Sequence, residues 1–275
     1  MQLNNTKFEL IAHKPSTENP NLKLLKNLPF FNIYDSYSVT DTLQISPSTF
    51  VKDLGIIIDK DLDWKLHVEI LFKKCKQISS WILSIFYNRD KYTLITLFNS
   101  LILSKVEYGC LIWNPHQIQE INKIEQLQRL FTYKITGMDK YNYWDRLQML
   151  NLMSLQRRRE RIIIIHTWKI LNNATPNDID LTFKEHPRTL AIKAVLKPLS
   201  KTKGATLTKF EESFTIKAAK LWNVLPPHIT RLTNFNIFKI NLDKFIRTVP
   251  DEPPLPDYPH RNNNSLTNQI PVLKL

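Results

Sequence analysis

The sequence predicts a mainly α-helical protein: a helical bundle preceded by a short β-hairpin and followed by a small helical or α+β unit and a disordered tail. Three observations carry this. Apolar residues recur at three- and four-residue spacing between residues 63 and 171, two β-like runs lie within residues 36–59, and residues 250–275 are rich in Pro and Asn. With 43% hydrophobic and 11% aromatic residues in a chain of 275, there is apolar material for one large core or two smaller ones.

The first 35 residues hold Pro15, Pro20 and Pro29 among many Asn and Lys, and read as irregular connection after a short extended start at residues 7–11. Two β-like runs follow, residues 36–45 and 49–59, separated by Ser46-Pro47-Ser48; they are expected to pair as a hairpin, with the second a mostly buried strand. From Asp63 the period becomes helical, with Leu66, Ile70, Lys73/Lys74, Ile78, Ile82 and Ile85 recurring at three- and four-residue spacing and Lys73, Lys74 and Lys76 grouped away from most of the stripe. Residues 92–113 are apolar nearly all round and read as the central buried helix, stopped by Asn114-Pro115. Ile118, Ile121, Ile124/Glu125, Leu127/Gln128, Phe131 and Ile135 mark a third helix that Gly137 can end. A short helix at 144–151 comes next, then one capped by Ser154 and ended near Asn172-Asn173 and Pro176.

A second unit is expected after Pro176, with an extended stretch at 190–199 and a capping box Thr208-Lys-Phe-Glu211 opening a helix that ends at Pro226-Pro227. A last helix, residues 234–247, carries Phe235, Phe238, Leu242 and Phe245 on one face. The expected divisions are residues 1–60, 61–175, 176–249 and a tail from 250.

Catalytic signatures are missing from the sequence. Gly55, Gly109, Gly137 and Gly204 lie too far apart for a phosphate loop or dinucleotide fingerprint. Asp59, Asp61 and Asp63 alternate as in a cation-binding loop, but Trp64 and Ile70 stand where a calcium loop needs Gly and Glu, so a polar turn is the better reading. The seven histidines have no i,i+4 pair, Cys75 and Cys110 sit in apolar segments as small hydrophobes, and no nucleophile elbow occurs. No catalytic residue, metal ligand or cofactor is assigned. The start lacks a signal-peptide pattern and no window is apolar enough to span a bilayer, so the chain reads as intracellular, in cytoplasm or nucleus, with no membrane partner.

The net charge is +13, and the excess is local: residues 61–175 carry 17 basic against 10 acidic side chains, and 176–249 carry 13 against 6. A polyanion such as an RNA or DNA backbone is the natural partner for a folded basic region. Arg157, Arg158, Arg159 and Arg161, with Arg129, Lys134 and Arg146 alternating with Tyr133, Tyr141 and Tyr143, could form a cationic face for phosphates; the alternative is a solvated helix face.

Several motifs occur in the order of a known family: Val51-Lys-Asp-Leu-Gly-Ile-Ile-Ile-Asp59, Leu62-Asp-Trp-Lys-Leu-His67, Trp113-Asn-Pro115, Ile124-Glu-Gln-Leu-Gln-Arg129-Leu-Phe-Thr, Leu155-Gln-Arg-Arg-Arg159, and Phe214-Thr-Ile-Lys-Ala-Ala-Lys-Leu-Trp-Asn-Val-Leu-Pro226. They resemble the region after the catalytic palm of jockey-like non-LTR (LINE-type) retrotransposon reverse transcriptases, over roughly residues 4–260. The resemblance implies that residues 1–60 are the end of a palm, that 61–175 form a thumb holding template and primer by their backbones, and that the parent activity is RNA-directed DNA polymerisation. The family's metal-binding palm aspartates, including the Tyr-x-Asp-Asp hairpin, have no counterpart here, so the chain alone is expected to be non-catalytic and Mg²⁺ to belong only to the absent palm. By the resemblance Lys73, Lys74 and Lys76 are the first candidates for nucleic-acid contact, with Arg129, Arg157, Arg158, Arg159 and Arg161 next, and a palm and fingers portion is a further expected partner. A helical protein-interaction module, or a relic without nucleic-acid binding, is the alternative.

Overall fold

The computed structural model describes residues 9–11, 37–40, 43–45, 47–176, 181–195, 213–253 and 264–272. The capping box at 208–211 and most of the stretch before residue 35 lie outside them. The protein is mainly helical and forms two compact units, Met1–Ile70 and Leu71–Leu275.

In the first unit β1 (Leu10–Ile11) pairs in parallel with β4 (Pro47–Ser48), β2 (Tyr37–Thr40) pairs with β3 (Leu43–Ile45), and β5 (Phe50–Asp53) pairs with β6 (Ile56–Asp59). The two β-like runs therefore do not pair with each other as expected; each folds back on itself. The reason for the second is local. Leu54 and Gly55 both take positive φ, 44° and 87°, which is the two-residue turn whose twist matches an antiparallel hairpin. Nor is this run mostly buried: only Ile56 and Ile57 are. The Asp59 carboxylate accepts the backbone N–H groups of Asp61, Asp63 and Trp64 at 2.9, 3.3 and 3.2 Å, so the acidic cluster is a polar turn leading to a helix. The buried His67 Nδ1 accepts from Ile57 N at 3.1 Å and ties that helix's first turns to the hairpin.

The first helix, α1 (Lys65–Ile85), has its length as expected but a different buried seam. Val68, Leu71, Cys75 and Ile82 are buried, while Ile85 is 49% exposed. The expected single helix over 92–113 is broken. It consists of α2 (Lys91–Leu97), a π-helical turn Phe98–Leu103, α3 (Ser104–Glu107) and α4 (Cys110–Trp113). Thr96, Ser100 and Ser104 each donate a hydroxyl to the carbonyl four residues back, at 2.9, 2.9 and 2.7 Å, a bond that bends helices on their wet side. Gly109, at φ 61°, then makes the left-handed step that Tyr108 could not make cheaply.

Next come α5 (Ile118–Tyr133), α6 (Tyr143–Met149), capped by Asn142, and α7 (Leu155–Leu171), capped by Ser154. The central helix is α7, not the 92–113 segment, because it packs on α4, on α5 and on α8 (Phe214–Asn223). A hairpin of β7 (Thr182–Glu185) and β8 (Ile192–Val195) lies against α8, followed by α9 (Pro227–Thr230), α10 (Phe235–Thr248) and α11 (Leu266–Val272).

Ile163, Ile164 and Trp168 of α7 share one apolar cluster with Trp222 of α8, Phe238 and Leu242 of α10, and Leu266 and Ile270 of α11. Trp168 stacks on Phe238 at 5.4 Å and donates its indole N–H to Leu232 O at 2.7 Å, so its one polar atom is satisfied inside the core. The Pro- and Asn-rich segment, expected to be a disordered tail, thus contains a helix with buried Leu266. Period alone hid it, since α11 is too short to display a stripe.

Candidate nucleic-acid interface

The eight candidate cations separate into two groups. Lys73, Lys74 and Lys76 are exposed on α1. Helical spacing puts Lys74, Trp81 and Ile85 along one flank of the exposed face and Lys73, Gln77, Ser80 and Ser84 along its middle. Trp81 is 57% exposed, and just beyond the helix Tyr87 and Tyr92 are 92% and 82% exposed. Large aromatics standing in solvent beside lysines are what a phosphate-tracking, base-stacking surface requires.

The arginine cluster on α7 is different: it holds the fold together. Arg157 is 1% exposed, and its terminal nitrogens donate to the carbonyls of Val249, Pro250 and Asn264 at 3.3, 2.8 and 2.8 Å. Its Nε lies 4.0 Å from Glu160 and 3.8 Å from Asp251. Asp251 in turn accepts from Ser154 N and Ser154 Oγ at 2.7 and 2.8 Å, so Arg157 and the α7 cap together clamp the C-terminal segment onto the helix. Arg159, also 1% exposed, donates Nε to Asn114 Oδ1 at 3.1 Å. Arg158 pairs with Glu107 at 2.5 Å, and Arg161 forks onto Asp243. The expectation that four arginines in five residues form a phosphate-binding face is therefore corrected. Two point inward and two are matched by carboxylates from distant elements, which linear spacing could not reveal.

Arg129 is exposed on α5, its guanidinium 4.8 Å from the Tyr143 ring. The alternation of Arg129, Lys134 and Arg146 with Tyr133, Tyr141 and Tyr143 divides: Arg129, Tyr133, Lys134 and Tyr141 are exposed, while Tyr143 and Arg146 are buried. Arg146 is 4% exposed, donates to Thr132 Oγ1, Tyr141 O and Arg129 O at 3.2, 2.7 and 3.0 Å, and lies over the Tyr133 and Tyr143 rings. Burial holds its guanidinium below its ordinary basicity.

Glu125 falls in the periodic stripe of α5, but its position in the sequence implies no role for it. It is buried on α5, accepts the Tyr143 hydroxyl, and receives the Leu155 and Gln156 N–H groups at 3.0 and 3.2 Å, so a carboxylate from one helix caps the first turn of α7. Burial pushes its carboxyl above the usual range. Its flanking residues look like any helical Glu, and nothing in the linear sequence marks it. Burial also raises the thiols of Cys75 and Cys110 to about 11, the behaviour of core residues rather than nucleophiles. Among the described residues no group of carboxylates, histidines and cysteines is arranged to hold a metal ion, and no helix is long and apolar enough to cross a membrane.

Fold and surface together define a mainly helical protein whose internal arginines serve packing and whose exposed basic-aromatic face lies on α1. Compared with known proteins, the chain is 28% identical over 116 residues to an uncharacterized protein of Caenorhabditis elegans, covering 40% of this chain and 57% of that protein. The chain thus matches little more than half the length of that relative. No family model and no solved structure matches.

Proposed function

We propose that this chain is a non-catalytic, thumb-like part of a retrotransposon-type RNA-directed DNA polymerase that holds RNA or DNA by its phosphate backbone. The observation that carries the proposal is the exposed face of α1, where Lys74 lies on the flank of Trp81, ahead of Tyr87, Lys73 lies along the middle, and Lys76 lies on the opposite flank of the same face. Lysine ammonium groups neutralise phosphates at any sequence, and the aromatic faces stack on unpaired bases, so binding is salt-dependent and indifferent to sequence. Arg129, exposed on α5, is a further candidate cation; Arg157 and Arg159 are buried and Arg158 and Arg161 are paired with carboxylates, so they are not among the proposed contacts.

The test is fluorescence anisotropy of the chain with a labelled RNA·DNA duplex carrying a single-stranded overhang, over a salt series. Micromolar binding is expected, with log affinity falling linearly with log salt. Changing Lys73, Lys74 and Lys76 together to Ala should flatten the slope by about 2–3, since each phosphate that a lysine neutralises adds roughly 0.9 to it. A triple variant with unchanged slope would end the proposal.

A second reading is favoured by one observation. Trp81, Ile85, Tyr87 and Tyr92 expose more apolar surface in one stretch of chain than solvent contact calls for, which suits docking against another protein. Binding that persists at high salt and is lost in Trp81→Ala alone would favour it.

A further inference from the structure

A cavity of about 220 Å³ opens between α7, α8, the Asn114-Pro115-His116 turn and the start of α11. Three cations line it: Arg159 from α7, and Lys217 and Lys220 from α8. Lys217 Nζ donates to Asn114 O at 2.8 Å and lies 3.5 Å from Pro115 O, which fixes the ammonium at the wall, while Lys220 is exposed at the solvent side.

The carboxylates nearby are already engaged. Glu160 lines the cavity, but its Oε2 accepts Leu266 N at 2.9 Å and faces Arg157, which lies outside the lining. Glu125, Glu160 and Glu107 all act on Arg159 electrostatically, but both Glu125 oxygens are turned to the Tyr143 hydroxyl and to the N–H groups of Leu155 and Gln156, and Glu107 pairs with Arg158.

The unmet hydrogen bonds are specific in kind. Both terminal nitrogens of Arg159 are buried donors without a hydrogen-bond partner among the described residues, and Gln156 Oε1, from the same lining, is a buried acceptor without one. Leaving such groups unmet costs far more than leaving them in water, so an occupant that satisfies them is favoured. It must offer oxygen acceptors to a guanidinium and one O–H donor to an amide oxygen. Inorganic phosphate has both, since it keeps a proton even after its second ionisation; sulfate and carboxylate near neutral pH have only the acceptors, and so does a phosphate monoester above its own second ionisation near pH 6.

We propose that this cavity is a phosphate site, taking inorganic phosphate or, near and below about pH 6, the singly protonated phosphate of a mononucleotide. Arg159 and Lys220 supply the charge, and Gln156 Oε1 accepts the proton the phosphate keeps. The proposal rests on none of the α1 residues, so either can fail without the other.

The test uses the full chain in thermal unfolding monitored by tryptophan fluorescence, titrated with sodium phosphate, sodium sulfate or sodium chloride at matched ionic strength. Phosphate at ten times its dissociation constant should raise Tm by about 3 °C above the chloride control, and sulfate by clearly less. Adenosine monophosphate beside adenosine, at about pH 6 where the monoester is half protonated, separates the two sources: a response to the nucleotide beyond the nucleoside assigns a phosphate monoester, and a response to inorganic phosphate alone assigns the free anion. Lys220→Glu, at an exposed position that leaves the core intact, should weaken the apparent affinity at least tenfold; Arg159→Met should abolish the response. No phosphate effect beyond chloride, an equal effect in wild type and Lys220→Glu, or sulfate matching phosphate would each overturn the assignment.

Discussion

Replacing Arg157 by Ala tests whether the α7 arginines hold the fold or contact a ligand. The guanidinium is 1% exposed and makes two bonds of 2.8 Å, to Pro250 O and Asn264 O, with a longer one to Val249 O. A hydrogen bond to a buried charged group contributes about 1.5–3 kcal/mol, and removing one partner of a buried ion pair costs about 3–5 kcal/mol. Truncation would also strand Glu160, whose carboxyl burial already pushes up and which Arg157 helps to hold down. These contributions overlap, so we expect a loss of about 4 kcal/mol, or roughly 8–16 °C in Tm for a unit of this size. Urea unfolding followed by circular dichroism would measure it. Arg158→Ala is the control, because its ion pair with Glu107 is about one-third exposed, solvent screens it, and its loss should cost about 0.5 kcal/mol. An Arg157→Ala protein within about 1 kcal/mol of wild type, and defective in nucleic-acid binding instead, would refute the clamp.

Three further outcomes are expected. The triple lysine variant on α1 should keep its Tm within about 2 °C of wild type while its salt slope falls, since exposed helix positions contribute little to folding. With their thiols raised to about 11, Cys75 and Cys110 carry about one thiolate in a thousand at pH 8, so mass spectrometry should find them unmodified by iodoacetamide until denaturant is added. Burial raises Glu125 above the ordinary carboxylate value of 4.5, so the folded state holds this proton more tightly than the unfolded chain does. The stability of wild type relative to Glu125→Gln should therefore fall as pH rises from about 4.5 through the raised folded value, and denaturation at stepped pH would read it; a rising or flat difference would contradict the burial.

Individual residues show how far linear reading reached. Ser154 was legible as a cap, and its hydroxyl does accept Arg157 N at 3.1 Å, because capping depends only on residues three apart. The grouping of Lys73, Lys74 and Lys76 away from the buried seam was legible for the same reason. Arg157 was misread because its partners, Val249, Pro250 and Asn264, lie about 90 to 110 residues away, and no local pattern distinguishes an arginine that clamps carbonyls from one that faces solvent. The break at Gly109 could have been suspected from the glycine, but apolar period gives no sign of the π-helical turn before it, where Phe98 sits 5.0 Å from the Phe131 ring of α5.

By itself, then, the sequence determined that the protein is helical, where most helices begin and stop, and that a short β-rich segment precedes them. These follow from hydrophobic period, caps and breakers, all of which act within a few residues. Tertiary structure alone decided which charges remain on the surface and which become internal. A charged side chain's environment is set by what packs against it, and for Arg157, Arg159, Arg146 and Glu125 the residues that answer the charge or cover it come from other elements of the fold.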